Sequence, residues 1–151
     1  MGAKRRRSAV LPLRPQIGVA CLVTRDGKYL LLRRRGSHGH GSWCPPGGHL
    51  DWGETVETCA AREVREETGL TVRDIRFLGI TNDVFESEDR HYVTLWTTAE
   101  APEGEPYVAA PYEMDEIGWF APGALPAPLF LSLRNLLGGT LQGGSGIRPP
   151  T

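Results

Sequence analysis

Paired cysteines, long apolar runs and any sizeable net charge are all missing from this 151-residue chain. Each absence excludes a class of protein. The three cysteines, Cys21, Cys44 and Cys59, are odd in number and include no C-x-x-C pair. That excludes a disulfide framework and a structural zinc site, and it points to a reducing, cytoplasmic setting. No stretch approaches the roughly 18 apolar residues of a membrane span. The first seven residues are basic but lack the apolar run that follows in a secretory signal. Seventeen bases and 18 acids leave a charge of −1, whereas a dedicated nucleic-acid binder carries a basic excess. A hydrophobic content of 40% against 23% charged excludes an acidic disordered chain. No internal repeat is visible.

What is present is enough sequence for one domain, with its charge sorted by position. Residues 1–35 hold ten bases and one acid, and residues 51–67 hold six acids and two bases. The chain divides into a basic tail (1–15), a domain (16–137) and a Gly/Pro-rich tail (138–151). The run Lys4-Arg5-Arg6-Arg7 is either a solvated tail or a polyanion-binding patch. β-Branched residues over 16–24, the turn signal Arg25-Asp26-Gly27 and an apolar run over 28–34 predict a hairpin. Residues 36–53 contain six glycines and two prolines, which predicts a loop with at most a short strand. Residues 55–68 lack both, and Val56, Cys59, Ala60 and Val64 recur at helical spacing with Gly69 as the stop. Strands are expected over 70–80, 91–99 and 116–120, with polar residues 82–90 joining the first two. A loop over 100–111 and a short amphipathic helix over 129–137 complete the order. The fold class expected is α+β with a mixed sheet.

The most informative stretch runs from Gly48 to Leu70. On a helix Glu63, Glu66 and Glu67 stand at i, i+3 and i+4 and share one face. Three acids packed that way repel one another, and a hard divalent cation such as Mg²⁺ relieves the repulsion. A solvated acidic face is the other reading. The lead-in favours the cation, because Gly47-Gly48 lets backbone approach a ligand closely. Glu54, eight residues before Arg62, can hold that guanidinium bidentately and so direct Glu63.

This segment resembles the signature of the Nudix hydrolases. Gly48, Glu54, Arg62, Glu63, Val64, Glu66, Glu67, Gly69 and Leu70 fill its nine specified positions. The resemblance implies a Nudix-type α/β/α sandwich with a mixed central sheet. It also implies Mg²⁺- or Mn²⁺-dependent hydrolysis of a nucleoside diphosphate linked to another group. By position, Glu66 and Glu67 become metal ligands, Glu63 a ligand or the group that orients or deprotonates the water, and the Gly47 carbonyl a further ligand. Arg62 positions Glu63, and Glu54 anchors Arg62.

Residues 35–51, His91-Tyr92-Val93-Thr94 and residues 125–130 resemble the MutT-like branch, which converts nucleoside triphosphates to monophosphate and pyrophosphate. That branch suggests Arg34, of the trio Arg33, Arg34 and Arg35, as the phosphate contact and Phe130 as a candidate base-stacking residue, plain helix packing being the other reading of Phe130. Gly48 and His49 are expected at the substrate. Pro45 departs from relatives, which commonly carry a large aliphatic residue there. Glu113, Asp115 and Glu116 are candidates for an extra acid or form an exposed turn. Trp43, Trp52 and Trp96 read as core or interface aromatics, Cys59 as buried, and His38, His40 and His49 as no zinc set. The competing functions are an ADP-ribose or nucleotide-sugar pyrophosphatase, a non-catalytic nucleotide-binding regulator, and removal of an RNA 5′ cap. The partners expected are a small nucleotide and, as in relatives, a second copy in a homodimer, with neither nucleic acid nor membrane.

Overall fold

A computed structural model of the chain describes residues 13–139. The basic run Lys4–Arg7 and residues 140–151 of the expected C-terminal tail lie outside them. The elements run β1 (Gln16–Arg25), β2 (Lys28–Arg34), β3 (Trp43–Cys44), β4 (Gly47–His49), α1 (Val56–Thr68), β5 (Arg73–Phe85), β6 (Arg90–Glu100), β7 (Met114–Phe120) and α2 (Leu131–Leu137).

The strands form one mixed sheet. β1 runs parallel to β6 from Gln16 opposite Tyr92 to Thr24 opposite Glu100, while its other pairings are antiparallel. The expected hairpin forms, closed by Asp26 and Gly27 at φ 51° and 73°, the paired positive values that a two-residue turn of this twist requires. It is brief. β1 meets β2 at Thr24–Tyr29 and Arg25–Lys28. β2 then diverges to pair with β3 and β7, and β1 takes up β4 and β6. The glycine-rich stretch holds two short strands rather than at most one. β3 is pinned to β2, and β4 sets Gly47 and Gly48 beside Ala20 and Val19.

Alternation along β1 explains the two helices. Val19, Cys21 and Val23 face one side, where Cys59, Ala60 and Val64 of α1 pack on them. Ala20 and Leu22 face the other, against Leu133 and Leu136 of α2 and Trp96. Burial on both faces is why β1 reads as an unbroken apolar run. The result is the expected α+β sandwich, one helix to each side of a mixed sheet.

Candidate active site

α1 is fixed at both ends by its own sequence. The Thr55 hydroxyl accepts from the Thr58 N–H at 3.1 Å, which caps the first turn. Gly69 ends the helix at φ 75° and donates its N–H to the Arg65 carbonyl. A side chain there would collide with the Tyr107 ring at 2.2 Å. With both ends set, the glutamate face is fixed relative to the sheet.

Arg62 is the hub of that face. Its Nε and Nη2 donate to the two oxygens of Glu54 at 2.7 and 2.8 Å, a bidentate fork. Nη1 donates to Glu63 Oε1 at 2.8 Å and to Glu66 Oε2 at 3.2 Å, and Nη2 also reaches the His49 carbonyl. Hydrogen bonds from Arg62 and from the Asp51 N–H pull the Glu54 carboxyl down to about 2. The guanidinium itself is pushed further up, first by Glu54 and then by Glu63.

Glu63 and Glu67 line a cleft of about 530 Å³. Burial raises the Glu63 carboxyl, with Arg62 opposing. Glu67 is 3% exposed, and its carboxyl is pushed well up by burial and then by the charge of Glu63. The Gly47 N–H donates to Glu67 Oε2 at 3.2 Å. At Gly48 a Cβ would lie 2.3 Å from Glu63 Oε1, so a side chain there would displace that carboxylate from its present position. Glu66 stands apart, exposed and paired to Arg62. Among the described residues no three acid, histidine or cysteine groups stand close enough to hold an ion as they are. The donor chemistry nevertheless suits a hard divalent cation, since every donor is oxygen and a buried carboxylate sits among like charges.

Of the three arginines, Arg33 and Arg34 end β2 and Arg35 follows it, and their contacts differ. Arg33 pairs with Asp115 at 2.7 Å and Glu116 at 3.1 Å, so those two acids are committed there. Glu113 lines the cleft, and its charge reaches both Glu63 and Glu67. Arg35 also lines the cleft and donates to the Pro111 carbonyl. Arg34 enters the cleft, its Cζ 4.3 Å from the centre of the Phe130 ring. Phe130 precedes α2 and is tied to β3 by its N–H to the Trp43 carbonyl at 2.9 Å. His49 sits at the rim, 3.0 Å from Gln16 Oε1. Trp43 and Trp96 are core residues as expected, but Trp52 is wholly exposed because it lies on the turn between β4 and α1.

Sequence reasoning missed Phe85 and Arg90 on the cleft wall. Continuing the alternation of β5 beyond Ile80 would have found Phe85, since Thr81 and Asp83 are buried on the same side.

The mixed sheet between two helices, with carboxylates carried on the first, defines the Nudix architecture. A NUDIX domain profile matches residues 14–137. A MutT NUDIX hydrolase from Burkholderia pseudomallei is 34% identical with a TM-score of 0.76, over 81% of this chain and 95% of that one. An ADP-ribose pyrophosphatase of Methanocaldococcus jannaschii is 39% identical over 63% of this chain and 56% of its own length. The NAD-capped RNA hydrolase NudC of Pseudomonas aeruginosa is 37% identical over 70% and 36% respectively. The chain thus spans about half or less of the length of these curated relatives. It belongs to the Nudix hydrolase family. Members generally use divalent metal ions and act on small nucleotide substrates. No helix among the described residues is long and apolar enough to cross a membrane.

Proposed function

We propose that the cleft converts a (d)NTP and water to (d)NMP and pyrophosphate, with Mg²⁺ or Mn²⁺ held by Glu63, Glu66, Glu67 and the Gly47 carbonyl. The observation that carries this reading is that Glu63 and Glu67 line the same cleft as Arg34 and Phe130. A divalent ion supplies positive charge against crowded phosphate oxygens and acidifies a water. The chain's own residues do the rest. Arg62 occupies Glu63 Oε1, leaving Oε2 either to join the ion or to orient or deprotonate the attacking water. Glu54 keeps Arg62 from swinging away. Arg34 meets the phosphates, Gly48 and His49 border them, and Phe130 offers a face to the base. The similarity to the MutT NUDIX hydrolase from Burkholderia pseudomallei, over 95% of that chain, supports the MutT-like reading, which implies a triphosphate substrate.

The second reading, an ADP-ribose pyrophosphatase, rests on similarity to the ADP-ribose pyrophosphatase of Methanocaldococcus jannaschii. A panel of (d)NTPs and ADP-ribose with Mg²⁺, scored by products, separates the two. Pyrophosphate release from a triphosphate is the expected result. Cleavage of ADP-ribose with every triphosphate idle contradicts it.

A further inference from the structure

The cleft wall opposite the carboxylates is assembled by two segments far apart in sequence. One is the loop between β2 and β3. The other is the turn between β5 and β6, which includes a short 3-10 helix at Glu86–Glu88. Glu88 joins them twice. One carboxylate oxygen meets His38 Nδ1, and the other accepts the Gly39 N–H at 3.2 Å. A carboxylate only accepts, so His38 carries its proton on Nδ1. The clasp is partly sheltered, with the His38 side chain 15% exposed and that of Glu88 26%.

The loop passes this constraint to Arg34. The Arg34 Nε donates to the His38 carbonyl at 2.9 Å. The Arg34 N–H donates to the Ser42 carbonyl, and its carbonyl accepts from Gly41. Gly39, at φ 66°, lies so close to Phe130 that a Cβ would meet its ring carbons at 2.6 Å. The His38 ring packs edge-on to Phe85 and Phe130 at 4.6 and 5.2 Å. The guanidinium is held by this carbonyl, whose position depends on Glu88, together with Cys44 Sγ, to which Nη1 donates at 3.6 Å, and the Phe130 ring beneath it. Neither Glu88 nor the turn that carries it stands out in the sequence.

We propose that Glu88 is a positioning residue, which through His38 and Gly39 fixes the β2–β3 loop and so holds the Arg34 guanidinium in the cleft. Its effect on substrate rests on the reading of Arg34 as the phosphate contact. Its effect on Arg34 does not. Losing Glu88 leaves Arg34 able to sample directions that point away from bound phosphate, which weakens binding more than it slows chemistry.

The test has two readouts. In the protein without ligand, the Arg34 Nε–H resonance, assigned by its loss in Arg34→Lys, exchanges slowly with water. In Glu88→Ala, and equally in His38→Phe, which keeps a ring but lacks the Nδ1–H, that protection is expected to disappear. Kinetically, Glu88→Ala is expected to raise KM about tenfold while kcat stays within about twofold. In an Arg34→Ala background the same substitution should change KM no further. Unchanged Arg34 Nε–H protection in both Glu88→Ala and His38→Phe overturns the proposal, as does an equal KM rise in both backgrounds. A wild-type enzyme that turns over no nucleotide overturns the functional reading alone, because the resonance is recorded without substrate.

Discussion

Arg62 carries more of the site than any other side chain. Its donors are divided among Glu54, Glu63, Glu66 and the His49 carbonyl, so one guanidinium fixes the loop, the Glu63 carboxylate and the rim together. A lysine keeps the charge but has no planar fork, and one ammonium cannot grip Glu54 while aligning Glu63. Arg62→Lys is therefore expected to lower kcat by about a hundredfold with a smaller change in KM, as misplacement of a reacting group by an ångström does. Steady-state kinetics on the best substrate of the panel measures it. An unaltered kcat would remove the positioning role. The Arg62–Glu54 fork itself is insensitive to ordinary pH. Glu54 is depressed to about 2, so what it contributes is present above the ordinary carboxylate range and fades only as pH falls toward that value.

At the scale of elements, α1 was legible because every local signal agreed. Thr55 caps, Val56 to Val64 give the buried stripe, and Gly69 stops the helix in the left-handed conformation. Gly69→Ala combines strain at φ 75° with a collision against Tyr107. It is expected to cost about 1–2 kcal/mol in denaturant unfolding and to loosen the loop that rests on the end of α1. A midpoint equal to wild type would contradict that account.

β5 was less legible for a physical reason. Its inner face carries Thr81 and Asp83, buried by a hydrogen-bond network instead of apolar contact. Thr81 and Thr94 donate to Asp83 Oδ2 at 3.0 and 2.6 Å, Asn135 donates to Oδ1 at 2.9 Å, and the Trp96 indole donates to Thr81. Polar residues satisfied largely by distant partners look like a loop when read locally, and Phe85 and Glu88 were hidden in that stretch. The short β3 and β4 escaped for a related reason. Pairing across the sheet, not their own composition, makes them strands.

Across the whole molecule, the site is held against a cost in stability. Glu67 is almost wholly buried beside Glu63, and burial and that neighbouring charge both disfavour its ionised form. The folded carboxyl lies above its unfolded value, so the folded state binds more protons in between and stability falls as pH rises through that window. Lowering the pH from neutral toward the ordinary carboxylate range should raise the melting temperature of the metal-free protein through this group. Glu67→Gln should raise it by a few degrees at neutral pH, flatten the pH dependence and abolish any further rise on adding Mg²⁺. Calorimetry checks all three.

The same substitution gives the sharpest single measurement of the functional claim. Pyrophosphate release from a (d)NTP with Mg²⁺ is compared between wild type and Glu67→Gln at matched concentration. The carboxylate cleft predicts release by wild type and a loss of about a hundredfold or more in the variant, although the variant is the more stable protein. Equal rates from the two proteins would place the chemistry elsewhere and contradict the central claim.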